Sequence, residues 1–262
     1  MTGSGPPDRE RRRRPRARLR WPSPLLGWSP LLAFGVVVAV AMAAGLAALA
    51  PLVALGVDPA GSVGTAVSAA LTTLAFVGTV WALVVRTGAL AWGDMGLARP
   101  SRQALADMAA GTLLAVPLVV VELVIMVLLV AVAGTPSSPL PPASSAPEAV
   151  LDLLVAAVLA PIGEEVFFRG YATSVWARSA GPGRAIARGA LFFAFAHIAT
   201  LLATTSSTGL AAAVGQFLAL VPAGLVLGWV FLTRRSLWAS IGLHGAYNGL
   251  IVLIAFAGAT RG

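Results

Sequence analysis

Seven apolar runs, at about 25–50, 63–85, 103–133, 149–176, 186–204, 210–232 and 236–259, divide this chain into spans joined by short polar stretches. At 1.5 Å per residue, each run is long enough to cross a hydrocarbon layer of ~30 Å. Backbone polar groups inside lipid must bond within their own segment, so runs of this length read as helices. The loops test this count independently. Eight Arg lie between Arg9 and Arg20, none in 51–62, then come Arg86, Arg99 and Arg102, and none in 134–148. Arg178, Arg184 and Arg188 follow, then the Arg-free TTSST stretch, then Arg234 and Arg235. An alternation this regular predicts a cytoplasmic N-terminus and an external C-terminus. The expected fold class is all-α, a polytopic transmembrane helix bundle of about seven spans with its site inside the bundle towards the cytoplasmic side.

Composition agrees with this reading: 58% of residues are hydrophobic, 11% are charged, and mean hydropathy is +0.88. All 18 basic residues are Arg, the coding bias of a GC-rich and in all expectation bacterial genome. With no cysteine, disulfides, thiolate nucleophiles and Cys-based metal centres are excluded. The net charge of +8 does not imply nucleic-acid binding, because so much of it sits in a juxtamembrane tail suited to anionic lipid. The tail is followed by an apolar run too long for a cleaved signal peptide, so that run is expected to be retained. The chain therefore divides into an Arg/Pro-rich cytoplasmic tail (1–24), N-terminal transmembrane helices (25–147) and a helical core (148–262). Pro117 and Pro161 fall inside over-long runs and predict kinks or tilt.

The chemistry-bearing residues lie within the core. The stretch PIGEEVFFRGY places Glu164, Glu165 and Arg169 inside an otherwise apolar span. Ionisable groups in lipid are costly and usually face a bundle interior where they serve a function. On a helix Glu165 and Arg169 are four apart and can pair, whereas Glu164 lies about 100° round and stays free. The chain's two histidines also fall inside spans: His197 closes FFAFAH, and His244 stands four before Asn248 in LHGAYN. His197 and His244 each lie about nine residues from an Arg-marked end, or ~13 Å along a helix axis, so the polar groups converge at one depth.

A free carboxylate can deprotonate water, imidazoles can orient that water or donate to an oxyanion, and an amide N–H can complete the oxyanion site. Glu164, His197 and His244 could equally form a zinc shell, although the H-E-x-x-H spacing is absent. Ser174, the nearest serine, is too close to the span's end to serve as a nucleophile. A proton-coupled transporter or a non-catalytic membrane scaffold would use the same buried carboxylates and imidazoles.

Glu164-Glu165 with Arg169, Phe193 four before His197, and His244 four before Asn248 together resemble the three-motif signature of the CPBP intramembrane proteases. That group includes the CAAX prenyl endopeptidases and the bacterial Abi proteins. The resemblance, over roughly 150–250, implies an intramembrane endopeptidase acting on a membrane-anchored and in some cases prenylated protein or peptide. It implies Glu164 as the water-activating base, His197, His244 and Asn248 as further catalytic groups, and Glu165 and Arg169 as support. It leaves metal open: no cofactor is favoured, and zinc on Glu164, His197 and His244 is the alternative. Elsewhere, Glu122 is expected to bond a neighbouring helix, Gly224 and Gly228 to permit close helix packing, and Trp238 to anchor at the interface.

Overall fold

The computed structural model describes residues 23–133, 143, 145–204 and 210–259; the Arg-rich tail and most of the 134–144 loop and of the TTSST stretch lie outside them. Among the described residues there are helices and turns but no strand. The helices are α1 (Ser29–Ala54), α2 (Ser62–Val80), α3 (Ser101–Ala133), α4 (Ala146–Leu154), α5 (Ala160–Glu165), α6 (Ser174–Ala180), α7 (Pro182–Thr204), α8 (Leu210–Arg234) and α9 (Leu237–Ala259). Among the described residues five stretches, Ser29–Ala54, Ser62–Val85, Ser101–Ala131, Ala213–Arg234 and Leu237–Ala259, are long and apolar enough to cross a membrane. The 149–176 and 186–204 runs are also helical. The first is divided among several segments, and the second belongs to a helix that opens with Arg184 and Arg188.

The outer surface is apolar as well as the core. Leu46 is 73% exposed and Leu113 75%, while Glu165 and Arg169 are wholly buried. Large apolar side chains turned outward around an interior that holds the charges fit a lipid surround. The chain is a multi-pass membrane protein.

The Arg-bearing ends of the helices meet at one end of the bundle. Asp107 pairs with Arg99 at 3.5 Å and with Arg234 at 3.4 Å, and Arg178 lies 3.8 Å from Asp94. The Trp238 indole N–H donates to Leu97 O at 3.0 Å, so this side chain ties the loop before α3 to the start of α9. The start of α1 joins the same end: Trp176 Nε1 donates to Gly27 O at 2.6 Å, and the Tyr171 hydroxyl to Ser29 Oγ at 2.8 Å.

The path from α4 to α6 is not one regular helix. Two π-helical segments, Val155–Leu159 and Val166–Thr173, interrupt it. Such i→i+5 turns are rare and concentrate at functional sites. The first shows what Pro161 does to the winding. Ala160 N–H bonds Val155 O, and the next donor in that pattern would be residue 161, a proline with no N–H. The carbonyl of Ala156 is thereby left to accept from elsewhere.

Glycines set the closest helix contacts. The carbonyls of Met108, Ala157 and Ala239 lie against Gly242, Gly245 and Gly111, each nearer than a Cβ would tolerate, so α9 packs backbone to backbone on α3 and on the Val155–Leu159 turn. Gly224 does the same for α7 and α8: a Cβ there would stand 2.8 Å from Ala190 Cα. Glu122 is buried and shares a hydrogen bond with Tyr247, linking α3 to α9.

Candidate active site

Four elements bring the polar groups together. Glu164 and Glu165 close α5, Arg169 lies in the π-helical segment that follows, His197 is on α7, and His244 and Asn248 are on α9. Gly163 places α5, because α2 packs so tightly on it that a Cβ there would meet Thr73 Cα at 2.9 Å. Thr73 Oγ1 also donates to Leu159 O at 2.8 Å, fixing the same turn from α2.

At the centre, Arg169 Nη1 bonds Glu165 Oε1 at 2.8 Å, the i,i+4 pair that the spacing implies. The same oxygen accepts from His244 Nδ1 at 2.9 Å. Glu165 is thus more than the counter-ion of Arg169, since it also orients a histidine 79 residues away in sequence. His197 Nδ1 lies 2.8 Å from Phe193 O, and because a carbonyl only accepts, that nitrogen carries the proton. Both rings, held at Nδ1, turn Nε2 towards Glu164. His197 Nε2 stands 3.6 Å and His244 Nε2 3.9 Å from Glu164 Oε2. Phe193 forms the floor: its ring centroid is 4.4 Å from that of His197, 5.6 Å from that of His244, and 4.4 Å from Arg169 Cζ. A guanidinium over a desolvated ring face adds cation–π attraction to the ion pair.

Asn248 stands one turn beyond His244, and its Nδ2 donates to Ala156 O at 2.9 Å. It thereby satisfies the carbonyl that Pro161 leaves without a helical donor. One N–H is engaged in this way, leaving the second N–H and Oδ1 for another group.

Glu164, Glu165, Arg169, His197 and His244 stand beside one another, whereas Asn248 bonds Ala156 O; sequence reasoning does not find the Glu165–His244 bond or the Asn248–Ala156 bond. The adjacent carboxylates, facing directions about 100° apart, are the available signal that each would serve a different partner.

Residues 146–250 match the family model of the type II CAAX prenyl endopeptidases, Rce1-like. Over that stretch the chain is Rce1-like. All six site residues lie within it. No curated protein and no solved structure matches the chain. The family is a protease family whose members act on membrane-associated proteins.

The Rce1-like site can be tested for zinc by its spacing. Ligands at ~2.0–2.2 Å in a tetrahedral shell stand about 3.4 Å from one another. The gaps from Glu164 are wider, and among the described residues no group of three or more His, Cys, Asp or Glu is arranged to hold a metal ion. The donor types suit zinc, and the gaps of 3.6 and 3.9 Å are within roughly half an ångström of that shell.

A cavity of about 520 Å³ adjoins the Rce1-like site. Phe34, Val38 and Met42 of α1 line it together with Phe168, Glu164 and His197. Met42 is 63% exposed, so the cavity opens past α1 onto the outer surface of the bundle.

Proposed function

We propose that the chain is an intramembrane endopeptidase in which Glu164 activates water against a peptide bond of a membrane-associated protein. The observation that carries this reading is the meeting of three acceptors: Glu164 Oε2 and the Nε2 atoms of two histidines whose protons are held at Nδ1. Three acceptors turned on one another call for a donor between them, and gaps above 3.5 Å suit a bridging water. Such a water gives one hydrogen to Glu164 and the other to an imidazole, which leaves its lone pair for a carbonyl carbon. As the C–O bond forms, Glu164 takes the proton and later returns it to the leaving amine. The imidazoles hold the water in line, and the second N–H of Asn248 is the donor for the developing oxyanion.

We also propose seven spans, with the Arg-bearing end in the cytoplasm and the site nearer that side, in a bacterial cell membrane. The alternation of Arg between loops and the meeting of those loops at one end of the bundle support this topology. The reaction proposed needs no metal. Purified protein should cut an anchored peptide, farnesylated or plain. Glu164→Gln should abolish turnover while leaving thermal unfolding and peptide binding as in wild type. Cutting by Glu164→Gln at the wild-type rate would refute the mechanism.

A further inference from the structure

The hydrolysis described above makes no use of one polar side chain on the cavity wall. Gln216 lines the cavity together with Glu164 and His197. It is the single amide-bearing or ionisable residue between Leu210 and Thr233 of α8. An amide facing an apolar wall is costly unless something bonds it. The register of α7 against α8 fixes its level. Gly224 lies against Ala190 and Gly228 against Ile186, and continuing this antiparallel pairing sets Gln216 beside Ile198, one residue from His197. The amide is therefore at the depth of the reacting groups.

The rest of the lining defines the occupant. Phe34, Val37, Met42, Phe76 and Phe168 offer apolar surface. The hydroxyl of Thr72 donates to Ser68 O at 2.8 Å within its own helix. A peptide cut here must be unwound, which strips its amides of helical partners inside lipid. In an extended chain the N–H and C=O of one residue point to the same edge, and a primary amide carries the matching acceptor and donor.

We propose that Gln216 is a substrate-positioning residue: its side-chain amide pairs with the N–H and C=O of one residue in an extended, apolar segment of a membrane-protein substrate lying in this cavity. The pairing unwinds the segment locally and brings a neighbouring peptide bond to the water beside Glu164. The inference rests on the proteolytic reading above.

The test uses the full-length protein in lipid nanodiscs and an internally quenched peptide bearing a farnesylated cysteine and a short apolar tail. Binding is measured on a Glu164→Gln background and cleavage on the active one. Gln216→Leu should weaken binding and raise KM about 10-fold, the loss of a pair of modest hydrogen bonds, with kcat changed less than about 3-fold. A set of N-methylated probes supplies the second measurement. At one position methylation should cost wild type about 10-fold in affinity and cost Gln216→Leu nothing. Equal affinity and KM in wild type and Gln216→Leu would overturn the proposal, as would a fall in kcat at constant KM or an N-methyl penalty that is the same in both proteins. Probe that binds wild type in a Gln216-dependent way but is never cut would refute the proteolytic reading and leave the pairing standing. Failure of wild type to bind the probe at all overturns the extended apolar occupant.

Discussion

Gly163→Ala is the sharpest test of how the fold holds Glu164. A Cβ at this position would stand 2.9 Å from Thr73 Cα and 3.3 Å from both Cβ and Cγ2 of Thr73. Carbon atoms rest at about 3.5–4.0 Å, so α2 and α5 must part by roughly 0.6–1.1 Å. The clash is with a backbone atom, and no rotamer change relieves it. Overpacking of this kind costs ~1–3 kcal/mol, offset by ~1 kcal/mol of helix propensity gained on replacing Gly, so net stability falls by only about 0–2 kcal/mol. Activity should fall much further. Glu164 is the next residue, and a displacement near 1 Å from the productive geometry costs about 100-fold. Turnover of an anchored peptide and thermal unfolding, measured in the same detergent, separate the two effects. Gly78→Ala, on α2 with nothing within 4 Å of its added Cβ, is the control and should keep full activity. Adding Thr73→Ala to Gly163→Ala should not restore turnover, because the Cα remains. Wild-type turnover in Gly163→Ala, or rescue by Thr73→Ala, would refute the claim that backbone contact at Gly163 sets the position of the carboxylate.

Three other outcomes are expected. Arg169→Leu leaves Glu165 buried and uncompensated and should cost ~3–5 kcal/mol, whereas Glu165→Leu with Arg169→Leu should recover much of that stability in a thermal melt but no activity, since His244 loses its Nδ1 partner. Asn248→Leu leaves the half-buried Ala156 O without its donor and should cost ~1 kcal/mol, read as a lower unfolding temperature together with lost turnover. Chelator-treated protein should retain activity, and elemental analysis should find less than one zinc per chain; stoichiometric zinc whose removal and return switch activity off and on would reverse this expectation.

The helical architecture and most of the site are readable from the chain. Apolar runs of span length and the one-turn spacings of Glu165 with Arg169 and His244 with Asn248 are local patterns, so they survive without knowledge of packing. The two bonds that refine the site join residues 79 and 92 positions apart, and no periodicity encodes them. The Val155–Leu159 turn is hidden for a related reason: φ and ψ at its ends stay close to α values, and the wider winding goes with Pro161 and with the donor that α9 brings to the freed carbonyl. Gly163, Gly242 and Gly245 read in sequence as small residues of no stated purpose. Their role emerges only once the opposing backbone is in place.

The open side of the cavity has a kinetic consequence. Because Met42 lines the cavity and also faces outward, the lipid around the bundle is the ordinary tenant of that space. Any substrate therefore enters by exchange with an acyl chain instead of by filling a void, and its apparent affinity is a ratio of two affinities. Chain length and unsaturation of the surrounding lipid become competitors in the rate law, and a KM for this protein has meaning only with the lipid composition stated beside it.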